Sequence, residues 1–221
     1  KEMIPSFCLF IQKSDNRGKT YMRKKLTRRE RLEYLFNKMS SKEFLNKEGL
    51  GNEVPFFICD FEPKEKFEMQ EDIKLLKNKL EKASVPVLDI NLYDLTKELL
   101  DKRNLWDKVI NREKNMKKVK LLETLQNILD PERYLIPAIA EKMKQKPFRI
   151  MFITGVGEVF PYIRSHNILN NLQSTAKDNP TVMFFPGEYR YSGTEGTSLD
   201  LFGRLHNDRY YRAFNIYTFE R

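Results

Sequence analysis

A chain of 221 residues, 40% hydrophobic and 32% charged, is long enough for one domain with a real core, and no apolar stretch in it approaches the length of a membrane span. The two cysteines, Cys8 and Cys59, lack CxxC spacing, which excludes a disulfide framework and a thiolate metal site and points to a reduced, cytoplasmic setting. The net charge of +9 is unevenly placed: residues 1–40 hold eleven Lys or Arg against four acids, residues 101–150 are again basic, and residues 151–221 are neutral.

Residues 1–21 show no clear period, and the apolar run Phe7–Ile11 is too short for a signal peptide. Met22 has the position of a natural start, which would make the preceding segment an upstream extension. Residues 1–26 are expected to form a basic N-terminal extension, and residues 27–221 one α/β domain. Thr27-Arg28-Arg29-Glu30 has capping-box spacing. Leu32, Leu35, Phe36 and Met39 then line one face, predicting a helix near 27–40. The loop Glu48–Glu53 delivers the chain into Val54–Phe61, a continuous apolar run that reads as a buried strand with Pro55 at its start. Pro63 precedes a helix in which Ile73, Leu76 and Leu80 keep helical spacing, and Val85–Leu92 is the next strand. Strand, helix, strand is the pattern of a parallel crossover.

Tyr93–Gln145 is mostly helical, with breaks predicted near Asn104, Asn115 and Asp130-Pro131 and a kink at Pro137. The stretch is long for a single crossover, so residues 93–146 read as a helical insertion between the second and third strands. Phe148–Thr154 and Pro180–Phe185 predict the third and fourth strands, and Ala213–Phe219 a fifth at an edge. The fold class that follows is α/β: a three-layer sandwich, Rossmann-like or P-loop-like, with a mainly parallel sheet.

In such a sheet the strand ends share one edge, where α/β proteins place their sites. The candidate binding rim is Asp60, Asn91, Thr154, Gly155, Gly157, Glu158, Arg164, His166, Asn167, Asn170, Gly187 and Glu188. Backbone amides at Thr154-Gly155-Val156-Gly157 can hold phosphate. Against this, Phe160 stands where a dinucleotide fingerprint has its third glycine, Pro161 delays the following helix, and GxxxxGK[ST] is absent. A structural tight turn is the preferred reading. Asp60, Asn91, Glu158 and Glu188 read either as magnesium ligands or acid and base, or as helix caps and loop bonds. Arg164, Asn167 and Asn171 share one helical stripe, with His166 and Asn170 on the next. They form either a recognition face or a set of side chains bonding backbone. His166 and His206 come with neither HExxH nor a nearby cysteine, and no GxSxG elbow occurs, so no metal, cofactor or catalytic residue is assigned. Tyr189-Arg190-Tyr191 and Arg209-Tyr210-Tyr211-Arg212 mix cations with aromatics, as protein interfaces and base-stacking surfaces do. Contacts to a partner or to nucleic acid are expected from Arg23, Lys24, Lys25, Arg28, Arg29, Tyr189, Arg209, Tyr210 and Arg212. The basic charge of residues 101–150 reads as solvated helix faces.

Several phrases occur in a fixed order: Gly49-Leu50-Gly51-Asn52-Glu53-Val54-Pro55-Phe56, Ile90-Asn91-Leu92-Tyr93-Asp94-Leu95, Leu129-Asp130-Pro131, Phe152-Ile153-Thr154-Gly155-Val156-Gly157 and Arg164-Ser165-His166-Asn167. Phe184-Phe185-Pro186-Gly187-Glu188-Tyr189, Leu201-Phe202-Gly203-Arg204-Leu205 and Tyr210-Tyr211-Arg212-Ala213-Phe214 complete the series. Together, from about Leu32 to Phe214, they resemble the BrxB family, small components of the bacterial BREX phage-defence systems. BREX systems distinguish self DNA by adenine methylation and block phage replication, with methyltransferase, ATPase and phosphatase-like activities assigned to other components. The resemblance implies a non-catalytic accessory or scaffold that binds other BREX proteins, the alkaline-phosphatase-like PglZ component first among them. It carries over no catalytic residues. Residues 1–21 lie outside the pattern, and Arg190–Thr197 reads as an enlarged loop. The alternatives are nucleic-acid binding through the basic N-terminal segment, with DNA as the partner, and a degenerate nucleotide-binding enzyme.

Overall fold

The computed structural model describes residues 26–48, 50, 53–192, 196–202 and 213–218. Helix α1 (Arg28–Ser40) starts at the expected capping box: the Thr27 hydroxyl accepts from the Glu30 amide and the Glu30 carboxylate accepts from the Thr27 amide at 2.8 Å. A single turn, α2 (Lys42–Leu45), leads to β1 (Phe56–Phe61), a short 3-10 turn at Pro63–Glu65 and α3 (Lys66–Lys82). Next come β2 (Val87–Asn91), α4 (Leu92–Lys102), α5 (Trp106–Glu113), α6 (Lys118–Ile128), a π-helical turn at Pro131–Leu135 and α7 (Ile136–Gln145). The rest is β3 (Ile150–Thr154), the single turn α8 (Val156–Val159), α9 (Ser165–Leu172), β4 (Thr181–Ser192), β5 (Gly196–Leu201) and β6 (Phe214–Asn215).

The strand order is β2-β3-β4-β1-β6, parallel throughout, and β5 pairs antiparallel with the second half of β4. Side-chain alternation divides the strands between two cores. Phe56, Ile58, Leu88, Ile90, Met151, Ile153, Met183 and Phe185 pack under α4, α7 and α9. Phe57, Cys59, Phe61, Val87, Ile150, Phe152, Val182 and Phe184 pack under α1 and α3. Both faces of the sheet are covered, which is why its strands read as unbroken apolar runs. The three-layer α/β sandwich expected from the sequence is the observed architecture.

Several local expectations need correction. The fourth strand, expected to end at Phe185, continues through Pro186, Gly187 and Glu188 to Ser192. Pro186 has no amide to offer a ladder, and it sits where β4 leaves the parallel sheet for its pairing with β5. Arg190–Ser192 and Gly196–Thr197 are paired strand, which leaves 193–195 of the expected loop, outside the described residues. Pro137 is the second residue of α7, which continues directly from the π-helical turn Pro131–Leu135, so the expected irregularity falls where π geometry gives way to α. The chain turns helical at once after Gly155, and Pro161 falls in the turn between α8 and α9. Phe160 ahead of it is extended, as the following proline demands. The break at Asn104 is real, with a left-handed φ of 53°.

Candidate functional site

At the C-terminal edge of the parallel strands, Asn91 ends β2 and caps α4: its Oδ1 accepts from the amides of Tyr93 at 2.9 Å and Asp94 at 3.2 Å. Gly155 follows β3 with φ +74°, and a Cβ there would lie 2.5 Å from the Asn91 Oδ1. Glycine is required both by the backbone and by the space. Gly157 lies under the rings of Pro186 and Phe202, and Phe202 meets Phe160 edge-on at 6.1 Å. Glu158 pairs with Lys66 Nζ at 2.9 Å and accepts from Gln70 Nε2 at 3.4 Å, which ties α8 to α3. Asp60 is the next-to-last residue of β1 and is buried. Its Oδ2 accepts from the Tyr189 amide at 3.3 Å and its Oδ1 from Asn215 Nδ2 at 3.4 Å. Above this edge burial pushes the Tyr162 phenol up to about 12, with Tyr93 and Glu158 adding to the shift, so it stays a neutral donor.

The structure therefore brings Asp60, Asn91, Gly155, Gly157 and Glu158 to one edge, with buried Thr154 at the end of β3. The polar atoms there cap a helix, hold backbone or pair with a lysine. No group of three or more His, Cys, Asp or Glu among the described residues is arranged to hold a metal ion. Gly187 and Glu188 follow Pro186, where the parallel pairing of β4 with β1 ends, so they lie beside the same edge, but as strand residues of β4 in register with Leu201 and Asp200. Tyr189, expected as a partner contact, is buried and donates its hydroxyl to the Ala213 carbonyl. On α9, His166 is buried, Arg164 and Asn170 are exposed, and the Asn167 carbonyl accepts from Asn171 Nδ2 at 2.8 Å. Arg23, Lys24, Lys25, Arg209, Tyr210 and Arg212 lie outside the described residues, as do His206 and most of the 1–26 segment.

Arg28 is not a free cation. Its Nε donates to Asp72 at 2.7 Å and its Nη2 to Glu71 at 2.8 Å, and the two acids raise its pKa further above the ordinary arginine value. Arg31, not among the candidate contacts, is buried and reaches Glu65 at 3.1 Å and Asp72 at 3.3 Å. Acids spaced three or four apart on α3 were the available signal, but nothing in the sequence says which helix they face. Arg29 remains exposed. The polar interior continues to Tyr217, whose hydroxyl lies 3.4 Å from Cys59 Sγ and whose pKa burial pushes well above 10.0. A tyrosine whose pKa is raised by folding contributes stability below its unfolded value, and that contribution is lost as pH rises toward the folded one. Stability should fall above about pH 10, at no more than about 1.4 kcal/mol per pH unit from this group, and Tyr217→Phe should flatten the fall in urea titrations.

No described helix is long and apolar enough to cross a membrane. The family model "BREX protein BrxB" matches residues 88–216. A BREX protein BrxB of Bacillus cereus (strain H3081.97) is 35% identical over 191 residues, covering 85% of this chain and 96% of the relative. Another, of Escherichia coli O9:H4 (strain HS), is 27% identical over 186 residues, covering 84% and 90%. No solved structure gives a significant match. The chain belongs to the BrxB family.

Proposed function

We propose that this BrxB-family chain is a non-catalytic scaffold of a BREX phage-defence assembly, and that its partner is the alkaline-phosphatase-like PglZ component. One observation carries the reading. The polar residues at the edge where an α/β enzyme would gather its chemistry are engaged in holding the fold: Asn91 as a cap, Asp60 on backbone and Asn215, and Glu158 on Lys66. The Gly155–Gly157 turn is packed against Asn91, Pro186 and Phe202, which favours a structural turn over a phosphate cradle. Phe67 and Tyr93, in the first turns of α3 and α4, are 78% and 42% exposed. The test is size-exclusion chromatography of the full chain mixed with the PglZ component at micromolar concentration. Co-elution is expected; clean separation would overturn the proposal.

A further inference from the structure

Helices α5 and α6 are the part of the described fold that uses its own core least. They have 8 and 11 residues, and neither buries a single side chain. Isolated helices of this length are marginal in water, because nucleation is costly and few bonds follow it. The pair is rooted by Trp106, Leu125 and Ile128, which lean on the core beneath the sheet. Beyond that root Val109, Leu121 and Leu122 are half-buried, but Ile110 is 40% and Val119 69% exposed.

Charge singles out the same place. From Lys108 to Lys120 the sequence holds Lys108, Arg112, Lys114, Lys117, Lys118 and Lys120 against one acid, Glu113. All six cations are exposed, and none of them makes an ion pair among the described residues. On the neighbouring α4 the pattern is reversed: Lys97 pairs with Asp101, and Glu98 with Lys102 and Lys142. The helical region thus neutralises its charge at the root and leaves it bare at the tip. Helix α1, where the sequence placed the basic contact surface, has Arg28 and Arg31 tied to acids of the fold.

We propose that the α5–α6 segment is the docking surface for an acidic protein partner, with Ile110 and Val119 as apolar anchors beside its exposed cations. This rests on the scaffold reading above and names the surface it would use. Complementary charge brings such partners together and sets their orientation, while desolvated apolar groups at the centre hold them. A nucleic-acid backbone would also take the cations, but phosphates have no use for the two exposed aliphatic side chains of the same segment.

The experiment compares the full chain with two surface variants, using the PglZ component and a random-sequence DNA duplex as probes. One variant is Lys114→Glu, Lys117→Glu, Lys118→Glu; the other is Ile110→Ser, Val119→Ser. All five positions are exposed, so thermal melts should match the parent. The parent should bind the PglZ component, with affinity falling about tenfold or more in the charge variant and about threefold or more in the apolar one. If the parent binds and both variants stay within about twofold of it, the surface lies elsewhere: this inference fails and the scaffold reading stands. If the parent does not bind, both fail. Should DNA binding vanish in the charge variant alone while PglZ binding is untouched, the segment is a nucleic-acid surface and the proposal is wrong.

Discussion

Gly187→Ala should destabilise the chain by about 3 kcal/mol or more, although it adds one carbon. The added Cβ would stand 2.2 Å from the Asp200 carbonyl oxygen and 2.8 Å from Phe185 Cε1. The first of these atoms is backbone of the paired strand β5 and cannot rotate away. Relief requires β4 and β5 to part. That parting strains the bond from the Phe202 amide to the Pro186 carbonyl, 3.0 Å long. It also strains the Tyr189 amide on buried Asp60. Gly157→Ala is the matched control. There the Cβ meets ring atoms, Pro186 Cγ at 3.0 Å and Phe202 Cε1 at 3.3 Å, and Phe202 is 38% exposed and able to shift. A Gly-to-Ala change within a helical turn also gains about 1 kcal/mol of propensity, so the control should sit near zero. Urea denaturation of both variants decides the matter through their midpoints at unchanged slope. Equal midpoints for the two would mean that β5 does not press on Gly187 as described.

The same residue shows where reading the sequence stopped short. Pro186-Gly187 between an apolar run and a charged residue has the composition of a turn, and strand β4 runs straight through it. Proline is accommodated because the ladder changes partner there, and glycine because a carbonyl from β5 comes too close for any side chain. Both reasons live in a strand pairing that no local pattern reveals. What was legible depended on local chemistry: the capping box of α1, the two-faced burial of the parallel strands and the break at Asn104. The edge was legible as a place, since parallel strands oblige Asp60, Asn91 and Gly155 to end together. Its role was not. Asp60 meets an amide 129 positions away, and Asn91 fills the space that Gly155 leaves. Such contacts turn apparent site residues into structural ones.

Asp72→Ala should cost about 3–5 kcal/mol, the usual penalty for removing one partner from a buried ion pair. Asp72 receives Arg28 at 2.7 Å and Arg31 at 3.3 Å, and the Arg31 and Asp72 side chains are 6% and 5% exposed. Arg28, 42% exposed, can return to water at little cost. Arg31 cannot: it would keep only Glu65 at 3.1 Å, and its buried Nε already lacks a hydrogen-bond partner. A guanidinium does not escape by losing its proton, so the charge stays buried and under-compensated. Replacing both partners removes that problem. Arg31→Leu with Asp72→Leu should cost markedly less than Asp72→Ala, since apolar groups of similar volume often substitute for a buried pair without loss. The cycle of Arg31→Leu, Asp72→Leu and the double then gives a coupling of about 2 kcal/mol or more, read by urea denaturation. Single losses that simply add would show that α1 is held on α3 by packing of Leu35 and Met39 against Ile73 and Leu76, with the ion pair incidental. A strong coupling would make this charge pair, and not the helix faces alone, the element that fixes how α1 lies on α3.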